Sequence, residues 1–230
     1  MRFSPSALLI IALLPLAACK PVVNYNPQID PANFSATVDH PLFKLAPGSV
    51  WNFEGVNEDG DTETGRVEVL AKEKIILGIP MAVIRDQVWI NGELHEDTED
   101  WYAQDEDGNV WYFGEAVDNY EDGAIADHDG SWEAGVDGAL PGITMPADPK
   151  VGEEYRQEYY AGNAEDMAKV INLDTTVTIG VGTYQHCLQS EEWNPLEPGI
   201  VEQKSYCPDV GYITLEEKVA GQTGRIEFVE

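Results

Sequence analysis

The chain has 230 residues with a formal net charge of −29, and 43% of it is hydrophobic and 10% aromatic. That apolar content is enough to build a core, so the acidity marks a charged surface rather than a chain too polar to collapse. A field of this sign repels phosphate backbones, which excludes nucleic acid as a partner, and it draws in cations and basic proteins.

The first element in chain order is a targeting segment. Arg2 supplies a positive charge, Ala7 to Ala18 is an apolar run interrupted by Pro15, and small residues close it. The run is about a dozen residues, whereas a spanning helix needs about 20. It ends in Leu16-Ala17-Ala18-Cys19, which resembles the lipobox of bacterial lipoprotein precursors. The resemblance implies cleavage before Cys19, a diacylglyceryl thioether on its sulfur and often a further acyl chain on its amine. Each buried methylene is worth about 0.8 kcal/mol, so two or more chains anchor stably where one holds marginally. In that family an Asp after the cysteine retains the protein in the inner membrane. Lys20 stands there, which implies the outer membrane, with the chain facing the periplasm or the cell surface. Losing Arg2 with residues 1–18 takes the net charge from −29 to −30.

Residues 19–48 carry Pro21, Pro27, Pro31, Pro41 and Pro47 among Asn and Asp with little periodicity. They read as a lipidated tether, with His40 to Leu45 as a phrase that docks on the domain. Residues 49–230 form one β-rich domain. Its periodicity is two: Trp51 to Val56, Gly65 to Val69, Met81 to Ile90, Glu99 to Gln104 and Asn109 to Gly114 alternate and are separated by turn residues such as Asp105-Glu106-Asp107-Gly108. Asp127 to Gly152 is rich in Gly and Pro and reads as a long ordered loop. Ala161 to Val170 carries a weak apolar stripe and predicts one short helix. Strands resume at Tyr155 to Tyr160, Thr175 to Val181, Tyr184 to Trp193, Val201 to Cys207, Tyr212 to Lys218 and Arg225 to Val229. A meander this wide must curl, so the expected fold is mainly β, a single antiparallel meander forming a strongly curved sheet or open barrel. The stretches Lys204 to Ile213, Asp100 to Gln104 and Trp111 to Glu115 are similar to those of uncharacterised β-rich periplasmic lipoproteins, a resemblance that implies no activity.

Cys187 and Cys207 flank the hairpin loop Asn194 to Gly199 symmetrically. In an oxidising compartment they form a cross-strand disulfide or stay as two buried thiols. His186 beside Cys187 does not make a nucleophile pair, because strand neighbours point to opposite faces. No zinc-protease helix, nucleophile elbow or phosphate loop occurs. Paired carboxylates of a secreted hydrolase would need two acids a set distance apart, and 42 acidic residues give the sequence no way to choose them. Calcium is the only cofactor the composition suggests, with Asp105, Asp107, Asn109, Asp127 and Asp129 as candidate ligands. The EF-hand pattern fails at Val110 and Ala116, and hairpin turns account for the same residues. Trp101, Tyr102, Trp111, Tyr112 and Phe113 sit on two strands joined by one turn, so alternate members face both sides of the sheet: one set belongs to the core, and the other either packs in a core as well, the favoured reading, or lines a groove for a lipid, peptide or glycan. The resulting expectation is a non-catalytic, membrane-anchored extracytoplasmic lipoprotein acting as a binding or envelope-associated module, with a hydrophobic ligand, a glycan or a basic protein as candidate partners and a calcium-binding module and a secreted hydrolase as alternatives.

Overall fold

A computed structural model describes residues 25–219 and 223–230. The signal segment and Cys19 lie outside the described residues. The domain is built from strands β1 (Val50–Val56), β2 (Thr62–Leu70), β3 (Ala82–Ile90), β4 (Glu93–Asp105), β5 (Val110–Glu121), β6 (Leu140–Met145), β7 (Glu154–Arg156), β8 (Glu158–Tyr159), β9 (Met167–Ile179), β10 (Gly182–Trp193), β11 (Glu202–Cys207), β12 (Tyr212–Lys218) and β13 (Arg225–Phe228). They pair in the order β7-β9-β10-β11-β12-β13-β1-β2-β3-β4-β5-β6-β8, and every pairing is antiparallel.

The two ends of that order are halves of one extended segment. β7 pairs with β9, β8 pairs with β6, and only Gln157 separates them. The sheet is therefore a nearly closed barrel whose seam is one strand that changes partner at Gln157, and closure hides the edges that an open meander leaves exposed. Gln157 N donates to Asp166 O at 2.8 Å on one side of the seam. On the other side the chain passes so close to Gly142 that a β-carbon there would stand 2.3 Å from the Gln157 carbonyl carbon and oxygen. The last strand pairs with the first, Phe228 opposite Phe53.

The expected tether does not extend away from the domain over its described part. A hairpin of Val38–His40 and Phe43–Leu45 packs Val38, Phe43 and Leu45 into the main core with Trp51, Phe53, Val67, Tyr102, Tyr206 and Tyr212. Upstream of it, Phe34–Ser35 adds to β4, and Tyr25 donates its hydroxyl to Pro141 O at 2.8 Å. Two of the prolines that suggested a linker serve turns in this packed segment: Pro31 opens a single 3-10 turn (Pro31–Asn33) behind the Asp30 cap, and Pro41 follows His40 in the hairpin turn. No α-helix occurs among the described residues. Where one was expected, residues 161–166 form a turn and β9 starts at Met167. Ala168 and Val170, the strongest members of the supposed stripe, are fully buried two residues apart, which is strand spacing. Residues 127–152 are mostly irregular, as expected, but contain Trp132–Glu133 and β6.

Cys187 and Cys207 are bonded, with their α-carbons 4.2 Å apart. They continue the ladder in which Leu188 faces Tyr206. The outer half of the β9–β10 hairpin packs on β12 and β13 at this point, with Val177 and Ile179 against Leu215, and Gly180 N donating to Glu227. The bridge closes a loop of 20 residues, so a Cys187→Ser/Cys207→Ser protein should unfold at a free energy lower by about 3 kcal/mol in denaturant titration, with the main sheet intact by far-ultraviolet circular dichroism.

Candidate functional site

Strand alternation puts two different surfaces on the barrel wall. Outward residues of β2 to β4 make the ion pairs Arg66–Glu68 (2.7 Å), Lys72–Glu99 (2.5 Å) and Arg85–Asp97 across the wall, where a membrane-spanning barrel would carry an apolar band. The inward residues are also rich in charge. Asp86, Asp100, Glu115, Glu158, Asp166, Glu192, Glu202 and Glu216 converge on the lumen together with Lys204.

The compartments of the lumen adjoin one another from one end of the barrel inward. An open compartment of ≈ 780 Å³ at the tips of β3, β4 and β5 shares Ile90 and His95 with a second of ≈ 450 Å³. The second shares Glu63, Val88, Glu216 and Ile226 with a third of ≈ 230 Å³ between β1, β2 and β12. The third meets an innermost compartment of ≈ 220 Å³ at Tyr212 and Ile213. The four adjoin in series at these shared walls, and carboxylates line each of them.

Aromatic rings cross the interior in an unbroken series. Trp132 packs on Tyr112 (5.4 Å between centroids), Tyr112 on Tyr102 (4.8 Å), Tyr102 on Phe43 (5.3 Å), Phe43 on Tyr212 (5.0 Å) and Tyr212 on Trp51 (4.8 Å). Edge and offset contacts of this kind add to the area they bury. The docked hairpin thus delivers Phe43 as the ring that joins the two halves of the series.

The expected groove divides accordingly. Tyr102 and Tyr112 face the innermost compartment. Trp101 and Phe113 instead belong to a second core beneath the hairpin of Ile75–Ile76 and Ile79–Pro80, and Trp111 packs at its edge, against Phe34. The turn aspartates have local duties. Asp105 accepts from Asn109 N, Asn109 Nδ2 and Trp111 Nε1 at 2.8 Å each, and Asp107 is exposed. Asp127 accepts from Asn119 Nδ2 and from Asp129 N. Among the described residues no three His, Cys, Asp or Glu side chains are grouped to hold a metal ion. His186 is exposed beside Asp174 (2.7 Å) while Cys187 is buried.

Inside the lumen, charge divides into two zones. In the first, the Lys204 ammonium lies 3.3 Å from Glu192, 3.5 Å from Glu202 and 3.7 Å from Glu216, and Lys218 also reaches Glu202. Burial alone would raise the Glu202 pKa, but Lys204 and Lys218 outweigh it and hold the carboxyl below its usual range. Burial opposes the Lys204 charge, and Glu192, Glu216 and Glu202 more than restore it.

The second zone has acids and no base. Asp100, Glu115 and Glu158 make no ion pair with any described residue. Burial pushes Asp100 up to about 7 even though the Tyr112 hydroxyl donates to it at 2.6 Å. Burial, then the charges of Asp100 and Glu158, hold Glu115 well above its usual range. Glu158, 6% exposed, is pushed up to about 8 by burial and then by Asp166. The Trp132 indole and the Asp166 amide lie close enough to temper that rise. Neither reaches hydrogen-bonding geometry, and Trp132 Nε1 has no acceptor.

Sequence reading missed this zone because its members are spread over three strands, β4, β5 and β8, and the segment before β9. On a single strand, alternating polar residues look like a solvated face. Only barrel closure turns them inward.

No family model matches the chain, and no curated protein matches it significantly. Two solved structures are similar in shape. A candidate exported protein with a YmcC-like fold from Bacteroides fragilis NCTC 9343 aligns with a TM-score of 0.47 at 13% identity, over 81% of this chain and 96% of its own. A candidate lipoprotein from Parabacteroides distasonis ATCC 8503 aligns with a TM-score of 0.42 at 12% identity, over the same shares.

Proposed function

We propose that this chain is a non-catalytic, lipid-anchored extracytoplasmic module that holds a small polar ligand inside its barrel. One observation carries the binding role: adjoining compartments run in series from the open end to one lined by Tyr102, Tyr112, Glu115, Glu158 and Asp166. Buried polar groups without partners cost free energy in the empty protein, and a complementary ligand recovers that cost. The anchor follows from Leu16-Ala17-Ala18-Cys19 and its likeness to a lipobox. Outer-membrane sorting follows from Lys20.

Val88 lines the wall shared by the second and third compartments and is only half-buried. A Val88→Trp substitution narrows the lumen there without overfilling the core. Small molecules released by denaturation from wild-type protein purified from its own membranes are expected to include one absent from the Val88→Trp protein. Identical extracts from the two would refute a lumen site. Radiolabelled palmitate should enter the wild type and not Cys19→Ser, which should leave the membrane fraction.

A second reading, hydrolysis by paired carboxylates, is favoured by one feature. Asp100 and Glu158 border the same interior with pKa values near neutrality, as a general acid requires. Turnover of an aryl glycoside panel, abolished by Glu158→Gln, would establish it in place of the binding role.

A further inference from the structure

The innermost compartment has a chemistry of its own, and its reading rests on the lumen being the ligand site. Glu158 is the most informative group. It is 6% exposed, it lines the compartment, and the only donors near its carboxylate are neutral, the Trp132 indole and the Asp166 amide, with no ion pair to any described residue. A buried carboxylate that faces a cavity with only neutral donors beside it lacks a charge partner. Its neighbours Asp100, Glu115 and Asp166 are all acids, and the one nearby base, Lys204, is already shared by Glu192, Glu202 and Glu216. The missing partner is therefore positive.

Geometry separates organic from inorganic cations. A calcium or magnesium ion needs several oxygens converging at 2–2.6 Å, and no three carboxylates among the described residues are so grouped. Acids recur along the series of compartments instead: Glu158 and Glu115 innermost, Asp86 with Glu63 and Glu216 in the next compartment, and Glu58, Asp59 and Asp61 nearer the open end. Between the first two groups lies the aromatic wall of Tyr102, Tyr112 and Tyr212. An elongated ligand with positive nitrogens separated by apolar spacers matches that alternation, with each nitrogen at a carboxylate group and the spacers on the rings. The inner compartments, ≈ 220 and ≈ 230 Å³, suit an unbranched chain rather than a peptide backbone with its side chains.

We infer that the lumen binds a linear aliphatic polyamine, with its leading ammonium donating to Glu158 and its methylenes lying along Tyr102, Tyr112 and Tyr212. The leading ammonium supplies the charged partner that Glu158 otherwise lacks. The trailing nitrogen reaches Asp86, which makes no ion pair with any described residue.

The test is calorimetric titration of the full mature protein with spermidine at pH 8 and 150 mM NaCl, with calcium chloride and trilysine as comparison titrants. One saturable spermidine site is expected, weakened at least about tenfold in Glu158→Gln and in Glu115→Gln. Replacement of the exposed, outward Glu54 by Gln should leave it unchanged. Two substitutions at different acids guard against a local change of fold, and both proteins are checked by circular dichroism. Several weak sites that respond equally to Glu54→Gln would mean diffuse surface attraction and overturn the inference. So would tighter binding of calcium or trilysine than of spermidine. If spermidine fails to bind while Val88→Trp still removes a co-purifying molecule, the lumen site stands and the polyamine falls. If Val88→Trp changes nothing, the lumen site itself is lost.

Discussion

Replacing Glu158 by Gln should stabilise the protein, and the gain should grow with pH. The carboxyl titrates at about 8 in the folded barrel against an ordinary value of 4.5, so between those limits the folded state binds more protons than the unfolded one. Stability linked to such a group is complete below about pH 4.5 and is lost as pH rises through about 8. Asp100, raised from 3.8 to about 7, acts in the same direction. The groups around Glu158 are Asp100, Glu115 and Asp166, all themselves raised, so none compensates. Wild-type melting temperature should therefore fall from pH 5 to pH 8.5, whereas most proteins are near their maximum in that range. Gln keeps the shape and removes the titration. A tenfold change in proton affinity between folded and unfolded states is worth about 1.4 kcal/mol, so the gain at pH 8.5 is on the order of a few kcal/mol, or about 5–10 °C in a chain of this size. At pH 5 the two proteins should melt within a few degrees. A parallel pair of melting curves across pH would show that Glu158 is solvated.

A β-carbon at position 142 should do the opposite and open the seam. The contact it would make is with backbone, the Gln157 carbonyl at 2.3 Å and Arg156 O at 2.6 Å, so no side chain can turn aside to relieve it. Either β6 or the β7–β8 segment must move, and that breaks the pairing of Leu140 with Tyr159 and Pro141 with Glu158. Gly142→Ala should cost about 3 kcal/mol or more, and Gly142→Val should cost more still. Hydrogen exchange distinguishes this from a general loss of stability. Amides of 140–145 and 154–159 should lose protection while those of β2 to β4 keep it. The same substitution changes the lumen, because Glu158 and Thr144 line it from the two sides of the seam.

Much of the wall was legible in sequence because β-strands advertise themselves by local alternation. The expected strand Tyr212 to Lys218 has the same limits in the structure, and Met81 to Ile90 is displaced by one residue. The disulfide was legible because the Asn194 to Gly199 loop fixes the register on either side of it. What failed had a physical cause in each instance. Alanines and a methionine near Ala161 suggested a helix, but Ala168 and Val170 are buried on strand spacing against β10. Docking of His40 to Leu45 was expected, but the prolines upstream suggested free reach, whereas Val38 is buried in the same hairpin, Phe34–Ser35 pairs with β4 and Tyr25 bonds to Pro141. The lumen was least legible. Asp86, Asp100 and Glu115 come from three successive strands and Glu216 from the distant β12, and they sit among ordinary outward charges such as Arg85, Glu99 and Glu217. Nothing local distinguishes an inward carboxylate from an outward one until the barrel closes.

The desolvated, unpaired acid zone is the physical basis of both the pH dependence and the ligand proposal. It is tested most directly by carbon-13 NMR of protein labelled at the side-chain carboxyls of Glu and Asp, titrated from pH 3 to 10 without ligand. A glutamate with its midpoint at about 8, absent from Glu158→Gln, and an aspartate at about 7 are the results the barrel interior requires. If every carboxyl signal titrated between about pH 3 and 5, the values of solvated side chains, the interior would be open to water throughout and no such zone would exist.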